Sequence, residues 1–429
     1  MNCRNNRSAR AVNVALAALA VSQVSFLGAQ ARTIRADTLS ARARDSIIAA
    51  VMADTLETVR RVAVRSPVSS QLIALRPTLR RFSVGGVNAQ EEGMSTRFVS
   101  RFSRAVFRID VTPISYIGDT STTAGRPQVA FSGASPISGR LDLTLRSADT
   151  LRLFGQSASF PGALKPKDVQ AVSAVGTSTI DLDAALLGAA ARIGTRYTLS
   201  QALGTSGVAF SVRGGVEYDP KPSGDAVVSW RGTTVRGGLG VSRTGMRGTI
   251  GAAAEVTRSF ADSLDGRNAF PGGGALTLDA RALRTFGRDA GGLIALNGFY
   301  ARPINLQRAI VPTRINPVGD FMGGTVSAAL PLFAVTVLPT VTALRESSRA
   351  TSTSRGVTTT RNSSGQTASA SLGLLVPLTR HITVTPEAGS TLGSVGQTTS
   401  ERSALRTDRR TFSDPIRGKW FSLELSIAH

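Results

Sequence analysis

The chain has 429 residues, with 50 Lys or Arg against 28 Asp or Glu and a formal net charge of +22. A single Cys and two His exclude His/Cys zinc sites, iron–sulfur clusters and thioredoxin-like redox centres, so we expect no cofactor. A hydrophobic fraction of 41% with 18% charged residues favours an ordered fold over disorder.

Residues 1–31 have the three regions of a secretory signal peptide. Three arginines between positions 4 and 10 form a basic region, an apolar stretch runs from Ala11 to Leu27, and Ala29-Gln30-Ala31 provides the cleavage pattern. An anchoring helix is the alternative, but Asn and Ser side chains interrupt the apolar stretch. We therefore expect export, which removes Cys3 and makes nucleic acid an unexpected partner in spite of the positive charge.

Residues 32–103 are predicted to form an N-terminal extension that is largely helical. From Asp37 to Arg65 apolar side chains recur near the helical period, and Ser66-Pro67 ends this stretch. A shorter helical stretch is expected from Val68 to Leu75. The extension is basic and amphipathic, and three interpretations stay open: a periplasmic segment, a plug inside a barrel, or a partly disordered linker.

From residue 104 onwards apolar and polar side chains alternate, which is typical of strands with two different faces. Each alternating run is about 10 residues long, the length that a tilted strand needs to cross a bilayer. In the last of these runs one face has Phe421, Leu423, Leu425 and Ile427, and the other has Ser422, Glu424 and Ser426.

The lengths of the connections distinguish a membrane barrel from a soluble sandwich. Short connections are expected at 243–247, 287–291, 332–334 and 377–381, and long ones at 260–273, 302–320, 345–365 and 394–418. Short and long connections thus alternate, as they do in barrels with short periplasmic turns and longer external loops. A Greek-key sandwich has no reason to keep this order.

Over residues 104–429 the sequence resembles the Gram-negative outer-membrane β-barrel superfamily, in a porin-like form. The resemblance implies an all-β, antiparallel, up-and-down transmembrane β-barrel of about fourteen strands, with twelve as the alternative. Eleven strands are expected from Ile180 onwards, and three precede them at Val106–Ile117, Gln128–Ala134 and Gly139–Phe154. The layout is also similar to that of the fatty-acid and hydrocarbon transporters, although that family's N-terminal hatch motif is not found near Arg32–Ala53.

The phase of the alternation places charged residues on the lumen face, where charges are tolerated if they are paired or hydrated. Two interpretations stay open: a polar pathway that tunes solute selectivity, and a structural network that fills a closed barrel. The residues concerned are Arg213, Glu217, Arg236, Glu255, Asp279, Arg281, Glu387 and Glu424.

The last strand fits a C-terminal assembly strand, which consists of Phe421, Leu423, Leu425, Ile427 and His429. The superfamily commonly ends on an aromatic residue that the barrel-assembly machinery recognises, so the terminal His429 is a departure. The content of only four Tyr and two Trp is another, because interface girdles are usually aromatic. Outer-membrane lipids and lipopolysaccharide are further expected partners, and Arg-rich loops form either a cationic rim or a merely solvated surface.

The expected location is the outer membrane of a Gram-negative-type bacterium, and the expected function is passive or facilitated passage of small solutes. The alternative is a non-transporting structural or adhesive surface barrel with a packed interior; a soluble periplasmic or secreted β protein is a third hypothesis. No enzyme is expected, because His381 and His429 lack Ser or Asp partners at a spacing typical of a catalytic site. The solute stays unidentified at this point.

Overall fold

A computed structural model describes residues 71–84, 87–119, 131–133, 137–146, 149–159, 189–203, 206–219, 232–260, 263–264, 267–268, 274–287, 292–304, 318–354, 357–403 and 406–428. The predicted signal peptide, the predicted helix from Asp37 to Arg65 and the terminal His429 lie outside these ranges. Among the residues in these ranges there is no helix long and apolar enough to cross a membrane.

The described residues form nineteen strands. Their bounds are β1 Gln71–Val84, β2 Val87–Arg101, β3 Ala105–Asp119, β4 Phe131–Gly133, β5 Ile137–Arg146, β6 Asp149–Ser159, β7 Ala189–Ala202, β8 Val208–Asp219, β9 Gly232–Gly245 and β10 Gly248–Ser259. They continue with β11 Ser263–Leu264, β12 Arg267–Asn268, β13 Gly274–Phe286, β14 Gly292–Ile304, β15 Val318–Leu332, β16 Val335–Ser354, β17 Val357–Pro377, β18 Ile382–Arg402 and β19 Thr407–Ala428.

Sixteen of these strands form one closed antiparallel barrel, as the predicted fold class requires. Each strand of the ring pairs with the ring strands before and after it in the chain, and β1 closes the ring by pairing with β19. The short strands lie outside the ring, since β4 pairs with β3 alone and β11 pairs with β12. Closure gives every ring strand a neighbouring strand on both sides, which is what a lipid environment demands of strands.

The two faces of the barrel differ in polarity. Large apolar side chains are exposed on the outer face, for example Leu239 at 66%, Ile250 at 61% and Phe210 at 52%. On the opposite face of the same strands the side chains are small, polar or charged, and one of them, Glu255, is only 9% exposed. An apolar outside and a polar inside is the arrangement of a barrel that spans a membrane.

The predicted number of strands, fourteen or twelve, is wrong, and the errors all lie before residue 189. Residues 71–84 and 87–101, which were predicted to belong to the helical extension, form β1 and β2. The predicted strand Gly139–Phe154 is divided into β5 and β6, and Gln128–Ala134 contains only the short β4. From Ala189 onwards the ring has the eleven strands that the alternation predicted.

The connections give the barrel two different ends. Where β1 begins and β19 ends, consecutive ring strands are joined by at most five residues, as at 246–247, 287–291 and 333–334. At the other end the connections include the long segments 160–188, 220–231 and 305–317. We call these the turn end and the loop end of the barrel.

The two long loops predicted nearest the C-terminus are wrong. Residues 345–365 and 394–418 belong almost entirely to β16, β17, β18 and β19, which are 20, 21, 21 and 22 residues long. Since about 10 residues suffice to cross a bilayer, the loop-end halves of these strands extend past the apolar band as a polar sheet. Arg402, Arg409, Arg410 and Arg417, expected on a loop, therefore lie on strands.

Candidate functional site

The inner face of β2, β3, β5–β10 and β13 carries charged side chains of both signs. We call this surface the charged wall. Its members are Arg97, Arg108, Asp110, Arg140, Asp142, Arg152, Arg196, Arg213, Glu217, Arg236, Glu255, Asp279 and Arg281.

In the first part of the charged wall each carboxylate bridges two guanidinium groups. Asp110 pairs with Arg97 at 2.7 Å and also with Arg108. Asp142 pairs with Arg152 at 2.7 Å and with the arginine two residues before it, on β5, at 2.6 Å. The side chains in these pairs are 13% to 31% exposed, so they are partly desolvated and still in contact with solvent.

Glu255 on β10 is the centre of the second part. Its Oε1 accepts hydrogen bonds from Nη2 of Arg196 and from Nη1 of Arg236, both at 3.0 Å. Arg236 also pairs with Glu217 on β8, so one network links β7, β8, β9 and β10. Charge-assisted bonds of this kind are about twice as strong as neutral ones, which fixes the position of each side chain.

Glycines on the inner face leave room for these long side chains. A Cβ at Gly215 would lie 3.2 Å from Cγ of Arg236, and one at Gly194 would lie 2.9 Å from Cγ of Glu217. A Cβ at Gly238 would lie 3.2 Å from that of Glu255. A side chain at any of these three glycines would therefore crowd the charged network and the neighbouring strand.

Six of the eight lumen residues predicted from the sequence lie on the charged wall, in two groups. Glu217, Arg236 and Glu255 belong to the network just described. Arg213 and Asp279 face each other at 3.8 Å between Nη1 and Oδ1, and together with Arg281 they line a cavity near the turn end.

The other two predicted residues, Glu387 and Glu424, lie on β18 and β19 and do not join the charged wall. Nη2 of Arg76 donates to Oε2 of Glu387 at 2.9 Å, and Oγ of Ser371 donates to its Oε1 at 3.0 Å. Glu387 is only 6% exposed, and these partners offset the cost of burying its charge. Glu424 accepts a hydrogen bond at 3.1 Å from the serine two positions further along β19.

The inner face of β14–β17 has a different chemistry, with apolar clusters and hydroxyl pairs. Hydroxyls pair between β15 and β16, where Thr325 lies 3.2 Å from Thr342 and Thr340 donates to Ser327 at 3.2 Å. Two apolar clusters lie on either side of these pairs, one of Leu293, Ala295, Ala329, Leu338 and Leu375 and the other of Phe299, Ala301, Phe321 and Leu344. The lumen surface is therefore asymmetric, with charge concentrated on one side of the ring.

The sequence analysis missed the charged residues on β2–β7. A signal was present, because Arg108 and Asp110 are two residues apart on one face of β3, and Arg140 and Asp142 are two apart on β5. Opposite charges at this spacing within an alternating run indicate paired charges on one face of a strand. For Arg140 and Asp142 the signal is obscured because the predicted strand Gly139–Phe154 merges β5 with β6.

The predicted assembly strand is β19, and its apolar residues face outwards. Phe421, Leu423 and Ile427 are exposed at 50%, 40% and 43%, and Leu425 lies on the same face. The last described residue, Ala428, pairs with Leu72 on β1, so this strand completes the ring. Recognition of the strand by the barrel-assembly machinery stays a prediction.

These features define the class of the protein. A closed antiparallel ring of sixteen strands, an apolar outer face, a charged inner face and short turns at one end are the properties of an outer-membrane β-barrel. The fold thus agrees with the one that the resemblance implies, a closed antiparallel β-barrel with an apolar outer face.

Comparison with known proteins adds similarities at the level of fold. No family model and no curated protein sequence matches the chain. A loop L8 deletion mutant of OmpT, an outer membrane protein of Vibrio cholerae, has a TM-score of 0.38 and 11% identity, covering 83% of this chain and 98% of the other. OccK7 (OpdD) of Pseudomonas aeruginosa has a TM-score of 0.34 and 10% identity, covering 84% and 99%. A bacterial polysaccharide outer membrane secretin has a TM-score of 0.34 and 11% identity, covering 85% and 100%.

Proposed function

We propose that the protein is an outer-membrane channel through which small solutes pass passively or by facilitated diffusion. The observation that carries this proposal is the number of strands in the ring, which is sixteen. Barrels of about eight strands are filled by their own side chains, whereas barrels of about sixteen to eighteen leave an aqueous channel. No catalytic step and no cofactor are part of the proposal.

The hydration of the charged wall supports an aqueous interior. A dry interior would impose a desolvation cost of several kcal/mol on each buried ion, so packed interiors rarely contain so many charges. Here Arg97, Asp110 and Asp142 keep side-chain exposures of 31%, 31% and 25% while they are paired. Water in the lumen accounts for both the number of charges and their partial exposure.

The apolar outer face supports a location in the outer membrane of a Gram-negative-type bacterium. The proposed route to this membrane is export by a cleaved signal peptide, followed by insertion by the barrel-assembly machinery. Arg409 and Arg417 are exposed on the loop-end half of β19, above the apolar residues of that strand. Cations in this position are suited to contact the phosphate groups of lipopolysaccharide.

One observation favours the alternative function, a structural or adhesive surface barrel. The loop-end halves of β16–β19 form a sheet that a channel does not need for crossing the membrane. A variant in which an Asn-Gly turn replaces residues 348–363 shortens the β16–β17 hairpin and keeps the ring, because Ser347 pairs with Ser364.

Swelling of proteoliposomes in neutral sugars of increasing size tests the proposal. We expect the wild-type protein and the shortened-hairpin variant to admit small sugars at equal rates, and the rate to fall as the sugar becomes larger. A heat-modifiable shift on gel electrophoresis serves as the control for folding. If both proteins are folded and neither admits the smallest sugar, the channel function is wrong and the structural or adhesive function is favoured.

A further inference from the structure

A cavity of about 100 Å³ opens in the charged wall close to the turn end of the barrel. It is lined from five ring strands, β7, β8, β9, β10 and β13. The charged residues in its lining are Arg213, Asp279 and Arg281. Two guanidiniums and one carboxylate give the cavity an excess of one positive charge.

The cavity exists because the strands at its base carry almost no side-chain volume. Gly251 on β10 belongs to the lining, and a Cβ there would lie 3.2 Å from Cβ of Ser242. A Cβ at Gly240 on β9 would lie 2.7 Å from Oγ of Ser211, another residue of the lining. Side chains at either glycine would therefore fill or distort this space.

Arg281 differs from the other arginines of the charged wall in its lack of a described side-chain partner. Its side chain is exposed to the lumen, and among the described residues it forms no ion pair and no hydrogen bond. Arg213 is also weakly engaged, because the 3.8 Å between its Nη1 and Oδ1 of Asp279 is too long for a hydrogen bond. By contrast, Asp110, Asp142 and Glu255 each bind two arginines.

Four hydroxyl groups surround the same space. None of them has a side-chain hydrogen-bond partner in the part of the chain that the structure describes; they belong to Thr198, Ser200, Ser211 and Ser242. Hydroxyls and guanidiniums can all donate, and a guanidinium cannot accept. A set of donors around a net positive charge is complementary to an anion with several acceptor oxygens.

We propose that this cavity is a binding site for a small oxyanion, a phosphate or a carboxylate, held by Arg281 and the four hydroxyls. Its volume of about 100 Å³ is sufficient to hold such an ion. The inference rests on the proposed function, because it names anions as solutes that bind in the channel on their way across the membrane. Binding of an anion to the site can nevertheless be measured without measuring transport.

Calorimetric titration of the folded protein with inorganic phosphate tests the site at constant ionic strength, with chloride as the balancing anion. Arg281→Gln should weaken binding at least about tenfold, because the anion loses a charge-assisted hydrogen bond, and tenfold corresponds to about 1.4 kcal/mol. Arg284→Gln is the matched control, since Arg284 lies three residues further along β13 on the opposite face and should leave binding unchanged. The double variant Ser211→Ala, Ser242→Ala should weaken phosphate binding by a smaller factor. It provides the test of the site if Arg281→Gln does not fold.

Chloride current through planar bilayers separates this inference from the proposed function. Phosphate should reduce the current of the wild type and of Arg284→Gln, and reduce that of Arg281→Gln much less. If no current is seen but phosphate binding depends on Arg281, the channel function fails and the anion site stands. If current is seen but neither Arg281 nor the hydroxyls affect phosphate binding, the anion site is refuted and the channel function stands.

Discussion

Several ion pairs on the inner face join residues that are distant in the chain. Glu255 binds Arg236 and Arg196, which are 19 and 59 positions away, and Glu387 binds Arg76, which is 311 positions away. Such pairs depend on the register of every strand between them. The stability of these ion pairs therefore depends on the closed ring as well as on the paired residues themselves.

Replacement of Glu255 by Gln should destabilise the folded barrel by about 2 kcal/mol, because it leaves two partly buried guanidiniums without their shared carboxylate. The free energy of unfolding can be measured from urea titrations followed by tryptophan fluorescence. Asp408→Asn is the matched control: Asp408 pairs with an 85% exposed Arg410, and its loss should cost less than about 1 kcal/mol. Equal costs for the two variants would contradict the central position of Glu255.

The sequence predicted which face each of the eight lumen residues occupies, but it did not predict their partners. The face follows from the two-residue period alone, so Arg213, Glu217 and Arg236 could be placed without knowing any register. The pairing of Arg236 with Glu255 requires the β9–β10 register, and that of Arg76 with Glu387 requires the closure of β1 on β19. The cavity around Arg281 likewise depends on five strands in register.

At the scale of elements, the outer face should be sensitive to charge and the inner face tolerant. Leu239→Arg places a charge on the lipid side of β9 and should cost about 2 to 4 kcal/mol of unfolding free energy in phospholipid vesicles. Thr277→Arg, on the lumen side of β13, should cost about 1 kcal/mol or less. If Thr277→Arg proved the more costly of the two, the assignment of the faces would be reversed.

β1 and β2 escaped prediction because local features interrupt their alternation. Pro77 and the pair Arg80-Arg81 interrupt the apolar pattern of β1, although Ile73, Leu75 and Leu79 share its outer face. In β2 the consecutive acids Glu91 and Glu92 interrupt the apolar pattern, and the register shift between β2 and β3 comes from an extra residue on β3. The residues between β5 and β6 include no Gly, Pro or Asn, so the sequence predicts one strand where the structure has two.

Closure by β1 gives a prediction for truncated proteins. A mature chain that lacks residues 32–70 keeps all of β1 and should show the heat-modifiable gel shift of a folded barrel. Removal of residues 32–84 deletes β1, which pairs with β2 and β19, and should abolish that shift. Loss of the shift in the shorter deletion would show that residues before Gln71 are required for the ring to form. If those residues act as a plug, the shorter deletion should also raise conductance.

For the whole molecule, the decisive quantity is the number of strands, because it sets the width of the lumen. The alternation over the last eleven strands was sufficient to predict the class of fold, but the total depended on the weakly patterned first third of the chain. The ring of sixteen strands, with charge on one side and apolar clusters on the other, is a wider and less symmetric barrel than the sequence indicated.

The net charge of +22 also has a structural interpretation at this scale. The charged wall has eight arginines against five acids, which gives this surface a net charge of +3. An excess of fixed positive charge along a channel favours the entry of anions. The lumen therefore accounts for a part of the positive charge.

Single-channel recording tests the central claim most directly. Wild-type protein, shown to be folded by its heat-modifiable shift, is incorporated into a planar bilayer in symmetrical potassium chloride. An open lumen of sixteen strands predicts discrete and repeated conductance steps, with a reversal potential that indicates preference for chloride in a salt gradient. A bilayer that stays silent while it contains the folded protein would contradict the claim.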